Sequence, residues 1–267
     1  MLFTLFFSLD SWQLGLVVFA VVGGGCAVGV LIGRYLRRHS DHYREGIGAL
    51  QGALLGVVGL ILAFGLSLAV GRYQDRRADV VNDANTIGTA YLRAQTLAEP
   101  QRSRSLTLMR DYNDLAIRLS YDRPGSASFR ATAAEQDRLQ QMLWRLGGEA
   151  INARPRDSAP RLYIDSLNAM IDQQGVRLAG LNNHPPNEVL LLELLGATLA
   201  LGMLALYISV LGRGLLPVVL AAVVVSFLVL VTFDLDRPTR GLITIPVSPL
   251  LAEKATMSLP TAAPPPR

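Results

Sequence analysis

Residues 49–71 read ALQGALLGVVGLILAFGLSLAVG and run into RYQDRRADVV at 72–81 with no proline to interrupt them. Twenty-three residues without a charge cover roughly 34 Å as an α-helix at ~1.5 Å per residue. That exceeds a hydrocarbon core of ~30 Å, so the stretch predicts a transmembrane helix. Gln51 and Ser67 are its most polar members. Upstream, WQLGLVVFAVVGGGCAVGVLIG at 12–33 is equally free of charge. The first basic residue of the chain, Arg34, follows that span. A cleaved signal peptide carries its basic residues ahead of a shorter apolar run, so an uncleaved helix is expected. Downstream, VLLLELLGATLALGMLALYISVL at 189–211 and LLPVVLAAVVVSFLVLVTF at 215–233 complete a set of four spans. Pro217 falls in the first turn of the last, where a missing N–H costs nothing. Gly212-Arg213-Gly214 leaves room only for a tight turn between spans three and four.

Composition agrees with these lengths. Hydrophobic residues make up 51% of the 267, mean hydropathy is +0.33, and charged residues are only 17%, against about a quarter in soluble domains. A soluble domain of this size could not bury four uncharged segments in one core. The formal net charge of +4 comes almost wholly from arginine, since Lys254 is the only lysine. These arginines stand singly among acids rather than in a one-sided stripe, so a nucleic-acid surface is not expected. Cys26, the lone cysteine, lies within the first span and has no intrachain partner. His39, His42 and His184 fall in loops, and no Cys/His spacing suits a metal. No metal, cofactor or catalytic residue is expected.

Between the second and third spans, residues 72–188 are polar and read as helices throughout. Val80, Ala84, Ile87, Tyr91 and Ala94 recur at intervals of three and four, the period of a helix face. Glu99-Pro100 ends that run and opens another bearing Leu106, Met109, Asn113, Ala116 and Leu119. Asp122-Arg123-Pro124-Gly125 is a turn signal. Thr132 and Glu135 have capping-box spacing ahead of Leu139, Met142, Leu146 and Ala150. Arg154–Ser158 breaks the chain again. A last helix from Ala159 carries Leu162, Leu167, Ile171 and Leu178, and Asn187 is a suitable N-cap for the third span. The fold predicted is all-α: four transmembrane helices in two hairpins, with a helical polar bundle inserted between them. The first hairpin occupies 1–71, the extramembrane domain 72–188 and the second hairpin 189–233. Residues 234–267 hold a charged element and a disordered, Pro-rich tail ending SLPTAAPPPR.

Membrane sidedness is read from basic residues near the spans. Arg34, Arg37, Arg38, Arg44 and Arg213 on one side outnumber Arg237 and Arg240 on the other. Adding Arg72, Arg76, Arg77 and Arg177, which flank the polar domain, turns five against two into five against six. The count does not choose a side.

Three features could carry function. Gly25, Gly29 and Gly33 share a face of span one, and Gly48, Gly52 and Gly56 a face of span two. Small residues four apart let helix backbones approach closely in lipid, so helix packing within or between subunits is expected, with a narrow conduit as the alternative. Glu193 lies five residues into span three, where it could reach the interface and suit the helix dipole, or serve as an ion-pathway or interhelix partner. The motifs DANTIGTAYLR at 83–93 and DLDRPTRGLI at 234–243 flank the membrane. In the second, Asp234, Asp236, Arg237 and Arg240 suggest a clasp pairing its acids with basic residues of the bundle; an ion or anion site is the alternative.

These motifs, with RYQDRRADVV ahead of the first and LNAMIDQQGVRLAGL at 167–181, resemble a bacterial bestrophin-like family of membrane proteins without an assigned activity. The resemblance runs from about Gln51 to Pro249. Remote similarity to bestrophin anion channels implies two hairpins, a cytosolic helical domain and a homo-oligomeric ring conducting anions such as chloride along the second span. It implies a bacterial inner membrane, with the helical domain and both termini cytoplasmic. Leu60, Phe64 and Ser67 would then approach the pore axis, with Phe64 as an apolar constriction. Asp234 and Asp236 would fall near the acidic calcium clasp of bestrophins, but the short D-x-D-R departs from an acidic run. A non-conducting scaffold or sensor, whose helical domain binds a partner, is the alternative. No enzyme is expected, because no nucleophile–base pair or phosphate loop occurs.

Overall fold

The computed structural model describes residues 9–37 and 44–262, and the side chains of residues 44 and 45 fall outside that description. His39, His42, Arg38 and the closing PPPR therefore lie outside the described residues, as do the side chain of Arg44 and the tail from 263. Among the described residues every regular element is an α-helix: α1 Ser11–Arg37, α2 Arg44–Ala94, α3 Gln101–Tyr121, α4 Ala127–Ala153, α5 Ala159–Asn182, α6 Asn187–Val210, α7 Leu216–Leu235 and α8 Ser248–Met257. Four of these are long and apolar enough to cross a membrane: α1, α2, α6 and α7. They cover the four spans read from the sequence except Leu211 and Leu215, each one residue beyond a helix end. The chain divides into two compact units, one of residues 1–73 and 184–244, the other of 74–183 and 245–267.

In the first unit, α1 packs against both α6 and α7, and α6 packs against α7. Leu14, Val18 and Val22 of α1 join Ala197, Ala200 and Leu201 of α6 and Val229 and Phe233 of α7 in a buried core. From α2, Val58 and Leu62 enter the same core. The turn after α6 uses Gly212 at φ +68, with Gly212 and Arg213 N–H groups returning to the carbonyls of Ser209 and Ile208 at 3.1 Å. A side chain there would be strained in φ and would meet the Arg37 guanidinium; this is the glycine-terminated helix end that frees a chain to reverse.

In the second unit, the later turns of α2 with α3, α4, α5 and α8 enclose a core. Ile87, Ala90, Met109, Tyr112, Ala116, Leu143, Tyr163, Leu167, Met170 and Leu250 are wholly buried in it. Gly125 at φ +76 makes the turn before α4. Ser126 then caps α4, its hydroxyl accepting from the Phe129 N–H at 3.1 Å. The capping box expected at Thr132 and Glu135 is overturned: α4 begins a turn and a half earlier, and Thr132 instead donates to Asp122 at 2.8 Å. Asn187 does not cap α6 either. Pro186 precedes the helix without a side-chain bond, and Asn187 is its first helical residue. Helix α8 was not expected in the tail. Pro249 stands in its first turn, and Leu250 and Met257, seven residues apart, both turn into the core.

Candidate functional site

Helix α2 has two unlike faces in the first unit. Val58, Leu62, Gly65 and Ala69, at intervals of four and three, are buried. Leu60, Phe64 and Ser67 lie on the other side; Leu60 is 58% exposed and Phe64 62%, and Ser67 is exposed. Val57 and Leu68 extend that exposed face. Gly52, Gly56 and Gly59 have open space where a Cβ would stand. Gly48 differs, since a Cβ there would touch the Tyr207 ring at 3.0 Å.

The glycines of α1 face inward. A Cβ on Gly25 would overlap Thr198, one on Gly29 the carbonyl of Gly202, and one on Gly33 would stand 2.5 Å from the Leu206 carbonyl oxygen. From the other helix, a Cβ on Gly202 would approach the Gly25 carbonyl oxygen at 3.1 Å. The α1 and α6 backbones are thus in direct contact, which only small residues allow. Of the six glycines singled out from the sequence, those of α1 and Gly48 meet neighbours within the chain. Gly52 and Gly56 present an open surface.

At the end of α7 the charged element folds back on its own unit. Asp234 is fully buried; its carboxylate accepts from the Ser11 hydroxyl at 2.8 Å and from the Leu242 and Ile243 N–H groups at 2.7 and 2.9 Å. The chain reverses at Gly241, φ +140, where a Cβ would press on that carboxylate. Asp234 therefore supplies acceptors for two backbone donors of the reversal. Asp236, also buried, accepts a two-pronged ion pair from Arg72 at 2.7 and 2.8 Å. Arg237 donates to the Leu9 carbonyl, and Arg240 is exposed. Of the two acids expected to form a clasp, Asp236 meets an arginine, Arg72, the first residue of the polar segment read from the sequence, whereas Asp234 meets a hydroxyl and two backbone N–H groups.

A calcium clasp does not fit these residues. All four oxygens of Asp234 and Asp236 accept hydrogen bonds, and the cation beside Asp236 is a guanidinium. Among the described residues no group of three or more His, Cys, Asp or Glu gathers.

Glu193 of α6 is 2% exposed. It packs against α2, as an interhelix partner would. Its carboxylate sits on the bare backbone at Gly65, where a Cβ would overlap Oε1. Oε2 has no hydrogen-bond partner. Arg72 and Asp236 are the charges near enough to act on it.

In the second unit the DANTIGTAYLR motif is a packing surface. Asp83 pairs with Arg177 at 2.5 Å, both side chains at most 2% exposed. Arg177 further donates to the Ala116 carbonyl at 3.1 Å and the Ser120 hydroxyl at 2.6 Å, joining α2, α3 and α5. Burial pushes the Asp83 carboxyl up, against the opposing pull of the Arg177 charge. Ile87 and Ala90 enter the core. Gly88 leaves space for the Glu253 carboxylate of α8. The Tyr91 hydroxyl donates to the Met257 carbonyl at 3.0 Å and accepts from Arg110 at 2.8 Å. Asn113 donates to the Leu250 carbonyl at 3.2 Å. The motif thus both seats α8 and anchors α5. A second polar cluster, Gln136, Gln140 and Gln174, is buried with the Tyr112 hydroxyl.

Four helices long and apolar enough to cross a membrane mark the chain as a membrane protein. The bestrophin-like domain matches residues 17–250, and the chain belongs to the bestrophin-like family. The sequence matches no curated protein.

Proposed function

We propose that the chain is one subunit of a homo-oligomeric membrane channel for anions, chloride among them. Its four spans would form two hairpins with the polar helical unit inserted between them. The observation that carries this reading is the exposed face of α2. Leu60, Phe64 and Ser67 stand there unpaired within the chain, beside glycines at 52, 56 and 59 with open space around them. Lipid alone would be an adequate neighbour for Leu60 and Phe64. The glycine run beside them favours a second helix instead, since bare backbone lets helices approach. Assembled around an axis, the face would line a pore narrowed by Phe64, with Ser67 offering a hydroxyl to a passing anion. Membership of the bestrophin-like family supports the same reading. The protein is not proposed to be an enzyme. Its membrane is proposed to be the bacterial inner membrane, with the polar unit and termini in the cytoplasm.

The test is chloride efflux from liposomes holding the purified full-length oligomer. Phe64→Ala widens an apolar constriction and should raise efflux several-fold over the unaltered protein. Under the scaffold reading Phe64→Ala leaves efflux at the level of empty vesicles, as does the unaltered chain.

A further inference from the structure

Glu193 is the one charge that α6 carries after its first turn, and among the described residues the one cation acting on it is already paired with another carboxylate. From α2 the facing groups are Gly65, which contributes only backbone, and Arg72. From α7 the facing group is Asp236. Helix α1 offers none, because Ser11 to Gly33 contains no charged residue. Arg72 is committed elsewhere: its Nε and one terminal nitrogen hold both oxygens of Asp236. One guanidinium therefore serves two carboxylates and is paired with only one. An ionised carboxylate left unpaired among packed apolar helices costs several kcal/mol. Binding a proton removes that cost. A metal cation would need further oxygen ligands, whereas a proton needs one oxygen, and Oε2 is without a partner.

We propose that Glu193 is a proton-binding site of the membrane unit, its carboxylate competing with Asp236 for Arg72 once the proton leaves. Protonated, the cluster of Arg72, Asp236 and Glu193 is neutral, and the α2–α7 ion pair is intact. Deprotonated, it carries one net negative charge, and Arg72 is drawn toward Glu193, loosening the end of α7. The site requires only the packing within one subunit, so it stands apart from the channel reading and can fail or hold without it.

Dicyclohexylcarbodiimide, an apolar carbodiimide, tests the protonated state on the full-length protein in liposomes. The carboxyl oxygen adds to the central carbon while the carboxyl proton passes to a nitrogen. The resulting O-acylisourea rearranges to a stable N-acylurea, and nothing leaves. Peptide mass spectrometry should find the adduct on Glu193 at neutral pH, lost as the pH is made alkaline. Infrared spectra should show the carbonyl band of an un-ionised carboxylic acid that disappears in Glu193→Gln. The unfolded chain releases this proton at mildly acidic pH while the fold retains it, so the unaltered protein should lose thermal stability from mildly acidic pH up to the pH at which the folded site ionises, more than Glu193→Gln does. An unmodified Glu193 at neutral pH overturns the proposal, as does an acid band or a pH profile unchanged by Glu193→Gln. If that variant does not fold, the labelling of the unaltered protein decides alone.

Discussion

Gly29→Leu is expected to abolish the folded membrane unit, while Gly52→Leu leaves it intact. A Cβ at Gly29 already overlaps the Gly202 carbonyl, which is backbone and cannot rotate aside. Relief requires α1 and α6 to separate along the Gly25–Gly33 face, and with them the contacts of Leu14, Val18 and Val22. Overpacking a core commonly costs about 1–3 kcal/mol, and a leucine driven against immovable backbone lies beyond that range. Against a total stability of about 5–15 kcal/mol, little folded protein should remain. Gly52 has nothing within contact range of its absent Cβ, so its leucine meets no part of the same chain. Monodisperse elution from a sizing column in detergent separates the outcomes. Equal recovery of both variants would show that the α1–α6 contact does not hold the unit together.

Removing either partner of the Asp83–Arg177 pair should cost about 3–5 kcal/mol, because each leaves a buried charge uncompensated. Arg177→Met forfeits the bonds to Ala116 and Ser120 as well, so it should be the costlier of the two. The double variant Asp83→Leu with Arg177→Met buries no charge and should cost less than the two single changes added together. Thermal unfolding of the purified full-length protein, measured for all four members of the cycle, gives the coupling directly. Strict additivity would mean that the pair is not coupled as its geometry requires.

The membrane helices were legible because apolar length is a local property: each of 12–33, 49–71, 189–211 and 215–233 falls within, or one residue beyond, one observed helix. The polar unit was legible only where its core is apolar. Val80 to Ala94 and Leu106 to Leu119 were placed on their buried faces, Asn113 included. Further on, the apolar pattern misled. Met142 is 44% exposed while Leu143 is fully buried, and Leu162 is 47% exposed beside a buried Tyr163. The face of α5 that enters the core carries Gln174 and Arg177, which no search for apolar residues would choose. Their partners, Asp83, Gln136 and Gln140, come from α2 and α4, so the signal is spread over distant parts of the chain. The same reason hid the surroundings of Glu193, which the sequence singles out only as a charge within a span. Its interest lies in Gly65, more than a hundred residues away in the sequence, and in an arginine already engaged by Asp236. Helix α8 was missed because Leu250 and Met257 are only two anchors in a short run beside a Pro-rich tail.

Chloride efflux is the most direct measurement of the central claim. Liposomes containing the purified, folded oligomer should release chloride faster than empty vesicles, and faster again with Phe64→Ala. Efflux no greater than from empty vesicles, from protein shown to be oligomeric and correctly inserted, would contradict it.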